Sequence, residues 1–159
     1  MRLLGSALRL TTQPRLALDA PLVVSSLVWP TDLNIGLHMD NVRYLQLMNR
    51  ARNELFLRTG IARVAMRRRL GIPVANCAMD YRRSLQPWER FSLRTQILGW
   101  TERRFFVAQD FLRGEEVVAS GQLRCAFSGA AGTVNPAEVF AEVTGSEPVS
   151  PALPAELLE

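Results

Sequence analysis

The stretch Trp29–Arg52 reads WPTDLNIGLHMDNVRYLQLMNRAR and decides how this chain can fold. Its first half is a polar loop, whereas its second half places apolar residues at the three- and four-residue spacing of an amphipathic helix. Asp40 or Asn41 can serve as the N-cap, and Gly60 stands where a glycine commonly ends a helix. The sequence therefore predicts a long helix over 40–59.

Polar side chains gather in the loop immediately before this helix. A helix N-terminus has unpaired backbone N–H groups and the positive end of the helix dipole, so it polarises carbonyl groups and holds anions. A site for acyl chemistry can be built from such parts, but the same side chains can equally cap the helix or form an Asx-turn. The candidate site residues are Asp32, Asn34, His38, Asp40 and Asn41.

Strand-like segments lie on both sides of the loop and the long helix. Their connections are short, which indicates antiparallel neighbours. A second, shorter helix is predicted over 62–70, and one long helix with an antiparallel meander makes an α+β domain. The predicted strands cover 21–28, 74–84, 90–100, 103–113 and 115–128.

The chain divides into three parts by these patterns. Residues 1–20 form an N-terminal lead-in, and 21–130 form the α+β domain. We expect 131–159 to be a C-terminal tail on the surface, with a short helix near 136–143 and a proline-rich end.

Composition limits the classes of protein to which the chain can belong. Its 159 residues suffice for one domain with a core, and 48% hydrophobic and 21% charged residues are ordinary for a soluble protein. No apolar run approaches the roughly 20 residues that span a bilayer, so we expect a cytoplasmic protein. An amphipathic lead-in lying on a membrane is the alternative, and we consider membrane contact the less favoured interpretation.

The charged and sulfur-containing residues predict neither nucleic-acid binding nor a metal site. All nineteen basic residues are arginine, giving a net charge of +4, but they are spread along the chain without interleaved aromatic residues. Cys77 and Cys125 lack metal-ligand spacing and are expected to be buried, reduced thiols.

The loop and the start of the helix carry a family resemblance. Residues 32–45 read DLNIGLHMDNVRYL and resemble the pattern D-x-D-x-x-x-H-x-N-N-x-x-Y-L of hotdog-fold acyl-CoA thioesterases, in the branch typified by 4-hydroxybenzoyl-CoA thioesterase. The strand-rich run 73–127 is similar to the sheet of the same proteins, so the resemblance covers roughly residues 20–130.

The resemblance implies a fold, an activity and an assembly. The fold would be an antiparallel sheet curled around one long central helix, in a homodimer or homotetramer with active sites at the subunit interface. An acyl-CoA or another acyl thioester would place its carbonyl against the helix N-terminus, and CoA would enter only as part of the substrate, with no other cofactor. The second Asp of the pattern would act as nucleophile or general base.

The chain departs from the pattern at that second Asp, where it has Asn34. A carboxamide is neither a useful base nor a nucleophile at neutral pH. The leading hypothesis is thioester hydrolysis, with the Asn41 end of the helix polarising the carbonyl and Asp32 or Asp40 assisting water. The alternative is a non-catalytic protein that binds acyl thioesters on the same fold.

Three further residues are candidates for binding the CoA portion of a substrate. The guanidinium groups of Arg67, Arg82 and Arg83 could pair bidentately with its phosphates, although solvated arginines are the alternative. His38 could position the thioester or only orient the loop.

Overall fold

The computed structural model describes residues 14–158 and contains seven strands and four α-helices in that range. A single 3-10 turn, Pro30–Asp32, precedes the first α-helix. The strands are β1 Leu22–Leu27, β2 Val74–Tyr81, β3 Arg90–Trp100, β4 Phe105–Arg113, β5 Glu116–Cys125, β6 Phe127–Gly129 and β7 Gly132–Val134, and the helices are α1 Asn41–Thr59, α2 Ile61–Arg67, α3 Pro136–Thr144 and α4 Ala155–Leu158.

Five strands form one antiparallel sheet in the order β1-β3-β4-β5-β2. The three central strands alternate between buried and more exposed residues, as expected when one face of a sheet is covered. The predicted antiparallel α+β arrangement is therefore confirmed. The sequence order of β3, β4 and β5 is a simple meander, whereas β2 reaches its place beside β5 from the end of α2.

Helix α1 covers the inner face of this sheet and begins and ends as its sequence predicts. Oδ1 of Asp40 accepts a hydrogen bond from the backbone N–H of Val42 at 2.7 Å, so Asp40 is the N-cap. Gly60 ends the helix with a φ of +90°, in the left-handed region that favours glycine. The side chains that α1 buries in the core are Tyr44, Met48, Ala51, Leu55, Phe56 and Thr59.

The C-terminal segment does not lie wholly on the surface, which corrects the expectation of a surface tail over 131–159. The ring of Phe140 is fully buried and stands 5.7 Å from the rings of both Phe105 and Phe127. Val139 and Val143 flank it at helical spacing, so one face of α3 is continuously apolar and completes the core. The error arose because this face is short and lies beside a proline-rich stretch that resembles a linker.

The predicted N-terminal lead-in, 1–20, lies mostly outside the described residues. Its described part runs beside the end of α1, where the N–H of Leu16 donates to the carbonyl of Arg58 at 3.0 Å. Within residues 14–158, none of the helices is both long and apolar enough to cross a membrane.

Strand β2 is an edge strand, and seven of its eight residues are exposed. A strand that packs one face on a core normally hides alternate residues, so the described part of the chain covers β2 only in part, chiefly at Met79, which packs against the core. Cys77 lies on this strand and is exposed, which corrects the expectation that both thiols are buried; Cys125, on β5, is buried as expected.

Candidate active site

The loop before α1 is closed on itself by backbone hydrogen bonds. The N–H of Asn34 donates to the carbonyl of His38 at 2.9 Å, and the N–H of Leu37 donates back to the carbonyl of Asn34 at 3.0 Å. Leu37 adopts a φ of +59°, which a β-carbon makes unfavourable and which the closed turn imposes. The loop is thus a small rigid turn whose side chains are fixed relative to the helix.

Asn34 is occupied in holding this turn. Its side-chain Oδ1 accepts a hydrogen bond from the backbone N–H of Gly36 at 2.9 Å, which is an Asx-turn. Its Nδ2 lies 3.4 Å from Nδ1 of His38. When Asn34 donates in this contact, Nδ1 of His38 is the acceptor, and the proton of the neutral ring is on Nε2.

Asp32 is buried, with only 8% of its surface exposed, and both of its carboxylate oxygens have partners. Oδ1 forms an ion pair with Nε of Arg43 at 2.8 Å, and Oδ2 accepts a hydrogen bond from the N–H of Trp29 at 3.0 Å. This carboxylate therefore fastens the 3-10 turn to the first turn of α1, and water reaches it poorly.

Asp40 and Asn41 form the start of α1. The side chain of Asp40 caps the N–H of Val42, and its carbonyl accepts from the N–H groups of Arg43 and Tyr44, at 2.9 and 3.3 Å. The N–H of Asn41 has no acceptor among the residues that the structure describes, and Oδ2 of Asp40 has no donor among them. Two consecutive residues at the helix N-terminus therefore carry a backbone donor and a carboxylate oxygen that no described residue engages.

A cavity of about 100 Å³ opens beside this helix start. Its inner wall is aromatic, since the rings of Tyr44 and Tyr81 meet edge to face at 5.3 Å. Burial raises the pKa of the Tyr44 hydroxyl, so it stays protonated at neutral pH, and its oxygen accepts the N–H of Leu85 at 3.4 Å. The cavity is lined by His38, Met39, Asn41, Tyr44, Tyr81, Arg82, Arg83 and Ser84.

The three arginines considered for phosphate binding are separated by the fold. Arg82 and Arg83 line the cavity and each makes one ion pair, with Asp80 at 2.8 Å and with Glu116 at 3.2 Å. Each guanidinium has five N–H donors, so a single ion pair leaves others for a phosphate. Arg67 lies at the end of α2, which follows the other end of α1; it pairs with Glu142 and does not line this cavity.

The structure thus brings together five of the eight site candidates and assigns scaffolding contacts to two others. His38, Asp40, Asn41, Arg82 and Arg83 surround or adjoin the cavity, whereas Asp32 and Asn34 hold the loop. Sequence reasoning did not select Tyr81 or Ser84. A usable signal was present, because Tyr81 directly precedes the two arginines on a strand.

A second, larger cavity of about 610 Å³ lies at the opposite end of α1. Its walls are mostly apolar, and its one arginine, Arg15, donates to the carbonyl of Val143 at 2.7 Å. Among the described residues, Asp19 is the only acidic one that lines this cavity, so their lining lacks the grouped donors and carboxylates of the helix N-terminus. In residues 14–158 no cluster of three or more His, Cys, Asp or Glu side chains is suited to a metal ion.

Comparison with solved structures identifies the fold. A gentisyl-coenzyme A thioesterase superposes with a TM-score of 0.64, covering 79% of this chain and 100% of that one at 16% identity. A Staphylococcus aureus protein solved in complex with CoA gives a TM-score of 0.70, covering 90% of this chain and 95% of that one at 10% identity. The hotdog fold predicted from the loop and strand run is confirmed.

Comparison of sequences identifies the family. The chain is 39% identical to Protein THEM6 of Xenopus laevis over 88 residues, which cover 55% of this chain and 42% of that protein. The chain spans about half or less of the length of the curated relatives that it matches. The sequence profile of the thioesterase-like superfamily matches residues 28–158, which is most of the chain and includes α3. By this match the chain belongs to the thioesterase-like superfamily.

Proposed function

We propose that this protein binds an acyl-CoA or another acyl thioester at the N-terminus of α1 and hydrolyses it. The observation that carries the proposal is the N–H of Asn41, which has no acceptor among the described residues and lies at a cavity flanked by two arginines. A carbonyl oxygen that becomes negatively charged during attack needs such a preorganised donor, and the helix dipole adds to the stabilisation.

Asp40 is the better candidate for the general base. Both carboxylate oxygens of Asp32 are engaged, by Arg43 and by the N–H of Trp29, so Asp32 would have to break the loop to act. Asp40 uses Oδ1 as the helix cap and retains Oδ2, adjacent to the donor on Asn41. A water held by Oδ2 would transfer its proton there as it attacks the carbonyl carbon, and the thiol leaving group would take a proton in turn.

Arg82 and Arg83 would bind the CoA portion of the substrate. Both lie at the mouth of the cavity, and both are exposed, as a phosphate-binding side chain outside the reacting centre would be. Two proteins of the same fold support this choice of substrate class, since one acts on gentisyl-coenzyme A and the other was solved with CoA.

The alternative is a protein that binds acyl thioesters without hydrolysing them. The observation that favours it is Asn34, which stands at the position of the family's catalytic aspartate. Its side-chain amide contacts Gly36 and His38 within the turn. A carboxamide at this position removes the expected nucleophile or base while leaving the pocket and its donors intact.

The test is hydrolysis of short, long and aromatic acyl-CoAs by the native protein and by Asn34→Asp, with calorimetric binding of the same panel. Turnover by the native protein supports the enzyme and assigns the base to a group other than Asn34. Binding without turnover, together with turnover by Asn34→Asp, supports the binding protein. Neither binding nor turnover by either protein would contradict both proposals.

We also propose a homodimer or a higher homo-oligomer. Strand β2 ends beside the cavity and is mostly exposed in the described chain, and an edge strand with unpaired backbone groups favours pairing with a second copy. Such pairing would place a partner subunit next to Tyr81 and the two arginines. Sedimentation equilibrium should give at least twice the monomer mass at micromolar concentration, and a monomer would contradict the proposal.

A further inference from the structure

The core beneath α1 contains one polar side chain with an unused acceptor. Gln109, on β4, is fully buried, and its Nε2 donates to the carbonyl of Met48 and to Oγ1 of Thr95, both at 2.9 Å. Its Oε1 is also buried and has no hydrogen-bond partner among the described residues. Leaving a buried carbonyl oxygen unpaired is unfavourable, so native cores rarely retain one without a reason.

The partners of Gln109 fix the orientation of its side-chain amide, so the unpaired atom is the acceptor Oε1. Turning the amide over would direct Oε1 at the carbonyl oxygen of Met48, and two acceptors would then face each other. The N–H groups of Gln109 are therefore both used, and only a hydrogen-bond donor can satisfy what remains.

Beside Gln109 the sheet has a hollow that flexible side chains fill. Gln109 pairs with Gly121 on β5, and Gly121 pairs with Met79 on β2. A β-carbon on Gly121 would lie 2.9 Å from Sδ of Met79 and would collide with the methyl of Met48, so these two side chains occupy the space over the glycine. Methionine side chains are unbranched and repack readily, which makes this filling displaceable.

The hollow is adjacent to the cavity at the start of α1. The preceding row of the sheet pairs Phe111 with Ala119 and Ala119 with Tyr81, and Tyr81 lines that cavity. Met79 is two residues from Tyr81 along β2 and points to the same face of the sheet. From Asn41 to Met48 the helix rises about 10 Å, so the hollow lies roughly one acyl chain's reach from the proposed carbonyl position.

We propose that the acyl group of the substrate displaces the tips of Met48 and Met79, extends past Tyr44 and Tyr81 into the Gly121 hollow, and donates a hydrogen bond to Oε1 of Gln109. The preferred acyl group then carries a hydroxyl or another donor about 10 Å from the thioester carbonyl, by the helix rise that separates the two sites. This inference rests on the proposed function, because it concerns the acyl end of the same substrate.

The test uses two ligands that cannot be hydrolysed and differ only in the donor. The oxodecyl thioether of CoA keeps the ketone carbonyl but has no cleavable thioester, and its ω-hydroxy counterpart adds one terminal hydroxyl. Calorimetry should show the hydroxylated ligand binding about tenfold more tightly, since the hydroxyl pairs a buried acceptor that is otherwise unsatisfied. Equal affinities, or tighter binding of the plain ligand, would overturn the inference and leave the proposed function standing.

Two variants test the acceptor on Gln109 and the hollow over Gly121 separately. Gln109→Leu should abolish the preference while still binding the plain ligand, and retention of the preference in a folded variant would overturn the inference. Gly121→Ala should weaken the binding of both decyl ligands by at least tenfold without weakening the binding of CoA itself. The added methyl takes up the space over residue 121 that the acyl chain would enter once the methionine tips move aside.

Gly71→Ala is the matched control for the glycine substitution. A β-carbon added at Gly71 would lie 3.8 Å from its nearest neighbour, the carbonyl oxygen of Ser128, which is an ordinary van der Waals contact. It should leave both affinities unchanged. Unchanged decyl binding in Gly121→Ala, with a native melting temperature, would overturn the assignment of the hollow. Failure of the native protein to bind either ligand, or CoA, would instead contradict the proposed function.

Discussion

Asp32 and Arg43 are joined across the start of the central helix, with Oδ1 of the carboxylate 2.8 Å from Nε of the guanidinium. The backbone carbonyl of Asp32 also accepts the N–H of Asp40 at 2.8 Å, so the same residue holds the helix cap in place. An aspartate at the first position of the family's loop pattern therefore holds the loop against the helix. Both contacts hold the loop at the helix start, next to the N–H of Asn41, which has no acceptor among the described residues.

Removal of this carboxylate should cost stability. Asp32→Ala leaves the partly buried Arg43 without its ion-pair partner and the N–H of Trp29 without its acceptor. We expect the free energy of unfolding to fall by about 1–3 kcal/mol, as for other groups left unpaired in low-dielectric surroundings. Urea denaturation measures it, and Asp80→Ala serves as the control.

The ion pair of Asp80 with Arg82 is largely exposed, so breaking it should change the free energy of unfolding by less than about 0.5 kcal/mol. A loss from Asp32→Ala no larger than that from Asp80→Ala would contradict the structural role assigned to Asp32.

Asp40 can be tested as a base separately from its role as a cap. Asparagine caps helices about as well as aspartate, so Asp40→Asn should keep the fold while removing the carboxylate next to Asn41 whose Oδ2 has no partner among the described residues. If the native protein hydrolyses acyl-CoAs, we expect kcat to fall about a hundredfold or more, which is a common contribution of a general base.

Asp40→Ala provides the contrast for that experiment. It should lose the cap as well, at a cost of about 1 kcal/mol in the free energy of unfolding. Full activity in Asp40→Asn would exclude Asp40 as the base, whatever the stability of the alanine variant.

Arg82 and Arg83 should affect the binding of CoA more than the chemistry. The double change Arg82→Ala, Arg83→Ala should raise KM for an acyl-CoA about tenfold, since hydrogen bonds to charged groups contribute more than neutral ones, and leave kcat nearly unchanged. The matched acyl-pantetheine lacks the nucleotide phosphates and should show no such increase. Arg67→Ala is the control, because that arginine pairs with Glu142 beyond the far end of α1. An equal effect on both substrates would show that the arginines do not contact phosphate.

The sequence predicted the features of the fold that depend on neighbouring residues, and it did not predict those that depend on contacts between distant residues. The cap at Asp40, the glycine stop at Gly60 and the meander of strands depend on neighbouring residues, and each is present in the structure. The burial of Phe140 depends on contacts with rings from β4 and β6 that are distant in sequence. The exposure of Cys77 depends on strand order, which places β2 at an edge although its sequence is as apolar as a central strand.

The candidate site also combines features that the local sequence predicts with features that depend on distant contacts. Asn34 could be recognised from its position in the loop pattern, and its Asx-turn is a local hydrogen bond. That Arg67 does not line the cavity, in contrast, depends on where the fold places α2, after the far end of α1. The acceptor on Gln109 could not be found from sequence, because its unpaired state depends on three strands and the helix above them.

The buried thiol of Cys125 should make the protein less stable in base. Burial raises the pKa of this thiol from 9.0 to about 11, so it stays protonated in the folded state at a pH where the unfolded chain has ionised it. Between pH 9 and about 11 the unfolded state binds fewer protons, and stability falls as pH rises. With about 1.4 kcal/mol per pKa unit, the loss attributable to this group is about 2 kcal/mol at pH 11, and it fades below pH 9.

The measurement is urea denaturation at a series of pH values for the native protein, Cys125→Ala and Cys77→Ala. Tyr44 also has a raised pKa and contributes its own loss above pH 10, so the informative quantity is the difference between proteins. Cys125→Ala should have a visibly flatter profile from pH 9 to 11. Burial also raises the pKa of the more exposed Cys77 thiol, but less than that of Cys125, so Cys77→Ala should keep most of the native slope. Parallel profiles for the native protein and Cys125→Ala would show that this thiol ionises equally in both states, and so is not shielded by the core.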